Sequence, residues 1–191
     1  MDQALLLVLN TVFGLFTYAF LLRFMMQWQR APFRNPVGQA LVALTDWAVK
    51  PLRRVVPGFK GQDTSTLVLA WFTQFVWLLA TAFLVRRVAP DGTLALAMAL
   101  YAVIELFKAA AWVLIVVVIV QAVLSWVGPD GPMAGFLNAM TFRFLAPIRR
   151  LVPPIGGTLD LSPLILIVLL QIVLMVPVPW LESSVLALFR G

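Results

Sequence analysis

The sequence predicts an all-α membrane protein with four transmembrane helices, arranged as two parallel tandem repeats. Hydrophobic residues make up 62% of the 191 residues and charged residues only 12%, which is too little polar surface for a soluble globule. Four apolar runs are long enough to cross a hydrocarbon core of about 30 Å. The heptapeptide at residues 51–57, PLRRVVP, returns at residues 147–153 as PIRRLVP, which indicates a duplicated unit.

The first repeat comprises residues 1–92, with spans at about 3–27 and 66–86. The first apolar run follows no basic segment and precedes no small-residue cleavage motif, so we expect it to remain as a permanent helix. Asp63 stands just before the second span, where its carboxylate can cap the free amides of a helix N-terminus.

The second repeat comprises residues 93–191, with spans at about 101–127 and 162–181. Apolar residues also precede position 101. One continuous helix over 93–126 would be about 50 Å long, so part of it would have to tilt, bend or protrude. Pro177 is expected to end or bend the fourth span.

Between its two spans, each repeat is predicted to carry an amphipathic helix and a Pro-Arg-Arg hairpin. Residues 37–50 and 133–144 place apolar side chains at helical spacing. These segments are too short to cross the membrane, so we expect them to lie in the interface or to be re-entrant. In each heptapeptide two prolines bracket the arginine pair, which predicts a rigid hairpin.

Each repeat contains an even number of crossings, so both copies enter the membrane from the same side and both hairpins share one face. Most Lys and Arg residues fall on that face. The positive-inside rule therefore places the hairpins in the cytoplasm and both termini outside.

The composition also argues against several chemistries. The chain has no cysteine and no histidine, which excludes disulfides, thiolate chemistry, His-ligated metals and Ser-His catalysis. No phosphate loop or nucleophile elbow is found. We therefore predict a non-enzymatic protein without a cofactor. The net charge of +6 is attributed to cationic flanks facing anionic lipid rather than to nucleic-acid binding.

The hairpins supply the candidate binding residues, which are Arg53, Arg54, Arg149, Arg150, Asp63 and Asp160. The four guanidiniums could form bidentate contacts with lipid phosphates or with a partner's carboxylates. Alternatively, they snorkel and only fix the depth of the helices. The two aspartates are either counter-ions to the arginines or simple helix caps favoured by the helix dipole.

A second group comprises polar residues within or near the spans: Arg23, Gln74, Glu105, Lys108, Gln121 and Gln171. Snorkelling to the headgroups explains Arg23. Glu105 and Lys108 form either an intramembrane ion pair between spans or an exposed contact three residues apart. The mid-span glutamines either bond neighbouring helices or line a transport site.

Several motifs resemble the YggT family, also called YlmG. In the first half they are Arg23 with Trp28, Asn35-Pro36, Thr45, Pro51-Leu52-Arg53-Arg54 with Pro57, Gly61 and Asp63. In the second half they are Ser125-Trp126, Pro132, Pro147-Ile148-Arg149-Arg150 with Pro153, and the segment at 156–163. Two positions depart from the pattern. Gln121 replaces the arginine usual in the family's second repeat, and Thr158 is an insertion.

The resemblance implies a bacterial inner-membrane protein tied to cell-envelope, division or osmotic-stress functions. Chloroplast relatives look like factors for haem attachment to the cytochrome b6f complex and for nucleoid distribution. We therefore expect a scaffold or assembly factor that presents the arginine hairpins to anionic phospholipid or to a membrane-protein partner. The alternative is a small channel or transporter linked to osmotic stress, acting as a homo-oligomer.

Overall fold

The computed structural model describes residues 3–58, 61–85, 91–127, 131–154 and 160–188. This described part of the chain is helical and contains no strand. The helices are α1 (Gln3–Trp28), α2 (Pro36–Leu52), α3 (Thr64–Leu84), α4 (Gly92–Val127), α5 (Pro132–Leu151), α6 (Ser162–Met175) and α7 (Pro177–Leu188).

Four segments are long and apolar enough to cross a membrane, and they agree with the predicted spans except at two ends. They are Gln3–Trp28, Thr64–Leu84, Gly92–Ser125 and Ser162–Ala187. α4 begins before residue 101, the predicted start of the third span, and is one continuous helix of 36 residues, which makes it about 54 Å long. The predicted end of the second span, at residue 86, lies outside the described residues.

The helical segment also continues beyond residue 181, the predicted end of the fourth span. The helix is interrupted at Val176, and Pro177 opens α7 instead of ending the span. Proline is well suited to the first position of a helix, where its missing amide hydrogen would have had no partner. The segment therefore bends and continues, and it carries Glu182 back against α4.

α4 is the central helix of the fold, since it packs against α1, α3, α5, α6 and α7. Its buried side chains, among them Leu114 and Val118, face the core. The remaining core is supplied mainly by the second half of α1 and one face of α5, including Met26, Met140 and Leu145. Large apolar side chains elsewhere on the spans are exposed, as expected for surfaces that face lipid.

The start of α2 is set by residues 33–38. Asn35 caps the helix by accepting a hydrogen bond from the Gly38 amide at 2.8 Å, and Pro36 occupies the first turn. Gly38 is required because a Cβ atom there would lie 2.6 Å from the Phe33 carbonyl oxygen. This tight reversal directs α2 back along α1.

The Pro-Arg-Arg segments are helix ends rather than proline-bracketed hairpin loops. α2 continues through Pro51 to Leu52, and α5 includes Pro147 and both arginines that follow it. A proline this close to the helix end removes only one hydrogen bond near the terminus, so the helix persists. Basic side chains in the last turn also interact favourably with the helix dipole.

A buried arginine joins α1 to α2. Arg23 is 4% exposed, and its Nη1 atom donates to Thr45 Oγ1 at 2.6 Å and to Asp46 Oδ1 at 2.8 Å. The expectation that Arg23 snorkels to the headgroups is wrong, because α2 lies beside it and supplies the acceptors. Hydrogen bonds from Lys50 and Arg23 hold the pKa of Asp46 below its usual range, although burial opposes them.

The second half of the chain joins α4 to α5 with neutral groups at matching positions. Gln121 follows Arg23 by 98 residues, and Thr141 follows Thr45 by 96. The Thr141 hydroxyl donates to Gln121 Oε1. Phe142 occupies the place next to Thr141 where α2 has Asp46. The arginine and its carboxylate are therefore both absent from this second tie.

The hydrogen bonds from Arg23 to Thr45 and Asp46 should contribute more to stability than the hydrogen bond between Thr141 and Gln121. We expect Arg23→Met to lower the free energy of unfolding by about 2–3 kcal/mol, because Asp46 and Thr45 lose their common donor. The matched change Gln121→Met should cost about 1 kcal/mol, the value of a neutral hydrogen bond. Reversible unfolding in mixed detergent micelles, followed by circular dichroism, measures both. Equal losses for the two variants would contradict this account.

Candidate functional site

An ion pair connects the end of α2 to the start of α3. Arg53 Nε lies 2.7 Å from Asp63 Oδ2, and Nη2 of the same guanidinium bonds the same oxygen. The other carboxylate oxygen accepts from the Ser65 amide at 3.2 Å and so caps α3. Asp63 therefore acts both as a counter-ion and as a helix cap, the two roles that the sequence left open.

The same arrangement connects the end of α5 to the start of α6. Arg149 Nε and Nη2 each lie 2.8 Å from Asp160 Oδ2, and the Ser162 amide donates to Oδ1 at 2.9 Å. Burial alone would raise the pKa of Asp160, but hydrogen bonds from Ser162 and Arg149 outweigh it and lower that pKa. We call each arrangement an Arg–Asp clasp: Arg53 with Asp63, and Arg149 with Asp160.

The clasps divide the four predicted arginines into two kinds. Arg53 and Arg149 are held by a carboxylate, whereas Arg54 and Arg150 are exposed and form no ion pair with a described residue. An apolar side chain follows each exposed arginine, Val55 being 78% exposed and Leu151 84% exposed. We call these two pairs, Arg54 with Val55 and Arg150 with Leu151, the exposed tips.

α2 and α5, the helices that end in the tips, do not pack extensively against each other. The two halves of the chain meet mainly where α4 packs against α3 and α1. A smaller contact joins α1 to α5. The rings of Trp28 and Phe144 lie edge to face with centroids 5.8 Å apart, and the Arg143 guanidinium is 5.5 Å from the Trp28 ring. Sequence reasoning assigned no role to Arg143, since its distance from Trp28 along the chain hides the contact.

A polar cavity of about 610 Å³ lies between α1, α3 and α4. Its lining includes three of the predicted intramembrane residues, namely Gln74, Glu105 and Lys108. Asn10 and Thr17 of α1 also line it and were not singled out from the sequence. A signal was available, since Asn10, Gly14 and Thr17 lie on one face of the helix, at intervals of four and three residues.

Three ionisable side chains meet beside this cavity. Lys108 Nζ lies 2.8 Å from Glu105 Oε1 and 2.7 Å from Glu182 Oε1. All three side chains are partly buried, with 22–29% of each exposed. Glu182 lies beyond the predicted end of the fourth span, and the continuation of the helix beyond Pro177 is what brings it here. Lys108 thus pairs with Glu105 within α4 and with Glu182 of α7.

The other candidates lie elsewhere. Arg23 and Gln121 form the ties between neighbouring helices, and Gln171 is a half-buried residue of α6 that does not line the polar cavity. Within the described residues, no group of three or more Asp, Glu, His or Cys side chains could hold a metal ion.

Comparison with known proteins identifies the family. The family model CCB3/YggT matches residues 2–84 and 100–181. The uncharacterized protein YggT of Escherichia coli K12 is 34% identical over 172 residues, covering 90% of this chain and 87% of that protein. An uncharacterized Pseudomonas aeruginosa protein is 33% identical over 175 residues, covering 91% and 87%. No solved structure matches significantly. The chain belongs to the CCB3/YggT family.

Proposed function

We propose that this protein is a non-enzymatic scaffold or assembly factor of the bacterial inner membrane, acting through its two exposed tips. The observation that carries the proposal is the recurrence of the Arg–Asp clasp. In both halves it ties a helix end to the next span and leaves the following arginine and apolar residue exposed. The same arrangement occurs in both halves of the chain, so it is a better candidate for a shared role than any single exposed charge.

The clasp and the tip have complementary roles. In the clasp, the carboxylate neutralises one arginine and holds the helix end at the start of the next span, so the second arginine projects from a held helix end. An exposed guanidinium can bind a lipid phosphate or a partner's carboxylate through two parallel hydrogen bonds. An adjacent exposed Val55 or Leu151 suits the boundary between headgroups and acyl chains, where a cation and an apolar side chain are solvated together.

We further propose that residues 1–92 and 93–191 are tandem copies that insert in parallel. Matching contacts support this, since both halves contain a tie between a long helix and the helix after it, followed by a clasp. The two segments matched by the family model are also similar in length. In this arrangement α2 and α5 are the amphipathic helices of the repeats, and the positive-inside rule directs both tips to the cytoplasm.

Removing the exposed arginines should abolish the interaction without unfolding the protein. We expect Arg54→Ala combined with Arg150→Ala to weaken enrichment of anionic phospholipid, or of a partner protein, by roughly 30-fold. This corresponds to about 1 kcal/mol for each cation at the membrane surface. Purification in mild detergent with quantitative mass spectrometry of lipids and proteins provides the measurement.

Arg34→Ala is the matched control, because Arg34 is exposed near the start of α2 but belongs to neither tip. The clasp arginines are left intact so that the fold is preserved. If the double variant retains the wild-type set of lipids and proteins in wild-type amounts, the scaffold proposal is wrong.

A second candidate function is that of a small oligomeric channel or transporter linked to osmotic stress. The polar cavity favours it, because polar and ionisable groups inside the span region are costly unless they face water or a solute. The cavity is formed within one chain by α1, α3 and α4, so a continuous path across the membrane would require further copies of the chain.

Transport would depend on the cavity residues. We expect Gln74→Leu to reduce solute flux into reconstituted liposomes by at least tenfold, because the amide lines the cavity. Gln171→Leu, which changes the corresponding amide in the second half, should leave the flux unaltered. Flux indistinguishable from protein-free liposomes across ions and small polar solutes would refute this candidate.

A further inference from the structure

We propose that the polar cavity between α1, α3 and α4 binds a small organic cation, that is, a protonated amine or a quaternary ammonium compound. The inference concerns binding and is independent of the scaffold role of the tips. It follows from the depth of the cavity, from an unpartnered buried hydroxyl, from the charge beside the cavity, and from its aromatic walls.

The cavity lies deep within the candidate spans. Along α1, Thr17 is six residues and Asn10 thirteen residues from Arg23. At 1.5 Å per residue these separations are about 9 and 20 Å. Lys108 lies thirteen residues from Gln121 along α4, again about 20 Å. Hydrocarbon cannot satisfy polar groups at this depth, so the cavity must contain water or a polar ligand.

Thr17 lines the cavity and carries a buried hydroxyl without a hydrogen-bond partner in the described structure. Its side chain is 3% exposed, and Oγ1 has no hydrogen-bond partner within the described structure. By contrast, Thr11 and Thr73 donate to carbonyl oxygens four residues earlier, at 2.8 and 2.7 Å. Threonine within a helix readily makes that bond. Thr17 therefore contributes to the cavity wall a buried hydroxyl that lacks an intrahelical partner.

The charge beside the cavity favours a positively charged ligand. Lys108 neutralises one of its two carboxylate partners, so Glu105, Glu182 and Lys108 together carry one net negative charge. Each glutamate contacts Lys108 through Oε1. At low dielectric a single uncompensated charge acts over several ångströms, so it attracts a cation and repels an anion.

The aromatic lining makes an organic cation a better match than a small inorganic ion. Tyr18, Trp77 and Trp112 all line the cavity. Aromatic faces attract ammonium groups, and the attraction is strongest where water is excluded. Gln74, from the opposite helix, adds an amide that can bond a polar substituent of the ligand. Together these walls combine charge attraction with apolar contact, which suits an alkylated amine.

The test is a titration of the full-length protein in lipid nanodiscs, with tetramethylammonium chloride as the probe and tryptophan fluorescence as the signal. Sodium chloride at the same ionic strength, uncharged tert-butanol and the anion methanesulfonate are titrated in parallel. We expect saturable binding of tetramethylammonium alone. Glu105→Gln should weaken that binding by about tenfold or more, since it removes the negative charge.

Two further variants locate the site. Thr17→Val and Gln74→Leu change cavity groups, and binding of a methylammonium probe, which can donate hydrogen bonds, should weaken by at least threefold in each. Gln171→Leu is the matched control outside the cavity and should bind both probes as the wild type does. Thr17→Val preserves side-chain shape, so it remains informative if another variant unfolds.

The proposal is overturned if tetramethylammonium shows no saturable binding, if methanesulfonate or tert-butanol binds as tightly, or if Gln171→Leu weakens binding as much as Gln74→Leu does. Saturable cation binding without flux in liposomes supports this inference and refutes only the transport candidate. An unchanged set of lipids and proteins with Arg54→Ala and Arg150→Ala refutes the scaffold proposal and leaves the cavity result intact.

Discussion

A guanidinium within an apolar helix must find acceptors in the protein or reach water, and this constraint fixes the first half of the structure. Arg23 finds Thr45 and Asp46 on α2. Removing that charge from water is costly, so the helix that carries the acceptors is held beside α1. The path of α2 then determines where its C-terminus lies and where Arg53 can meet Asp63 at the start of α3. In the first half, the contacts of Arg23 and the clasp are thus linked through α2.

The second half joins its long helix to the helix after it at the matching place, but through a weaker contact between uncharged groups. Gln121 and Thr141 form a neutral tie, and α5 has Phe142 in place of a carboxylate. Losing both charges together avoids the cost of an unpaired ion, which a single substitution would incur. Read alone, Gln121 looks like a departure from the family pattern. Its partner Thr141 shows that α4 and α5 are joined at the matching place by a hydrogen bond between neutral groups.

The sequence predicted the features that depend on local chemistry. The four apolar runs, the break at Asn35-Pro36 and the caps at Asp63 and Asp160 all follow from length, backbone restriction and hydrogen-bonding groups nearby in the chain. Features that depend on tertiary packing could not be predicted. The partner of Arg23 and the approach of Glu182 to Lys108 require knowledge of which helices lie side by side. Pro177 was expected to end or bend the span, and which of the two occurs depends on its position at the start of a new helix rather than on residue type.

The number of unpaired charges also limits how strongly the exposed tips can bind. Because each clasp neutralises one arginine, only Arg54 and Arg150 present unpaired charge at the tips of the described structure. Two surface cations contribute about 2 kcal/mol, which in free solution would be a negligible affinity. A membrane-embedded protein, however, shares two dimensions with its lipids and membrane partners, which raises their effective concentration. In the proposed scaffold role, weak contacts are sufficient under that condition. The clasp therefore matters less for the charge it removes than for the orientation it gives to the charge that remains.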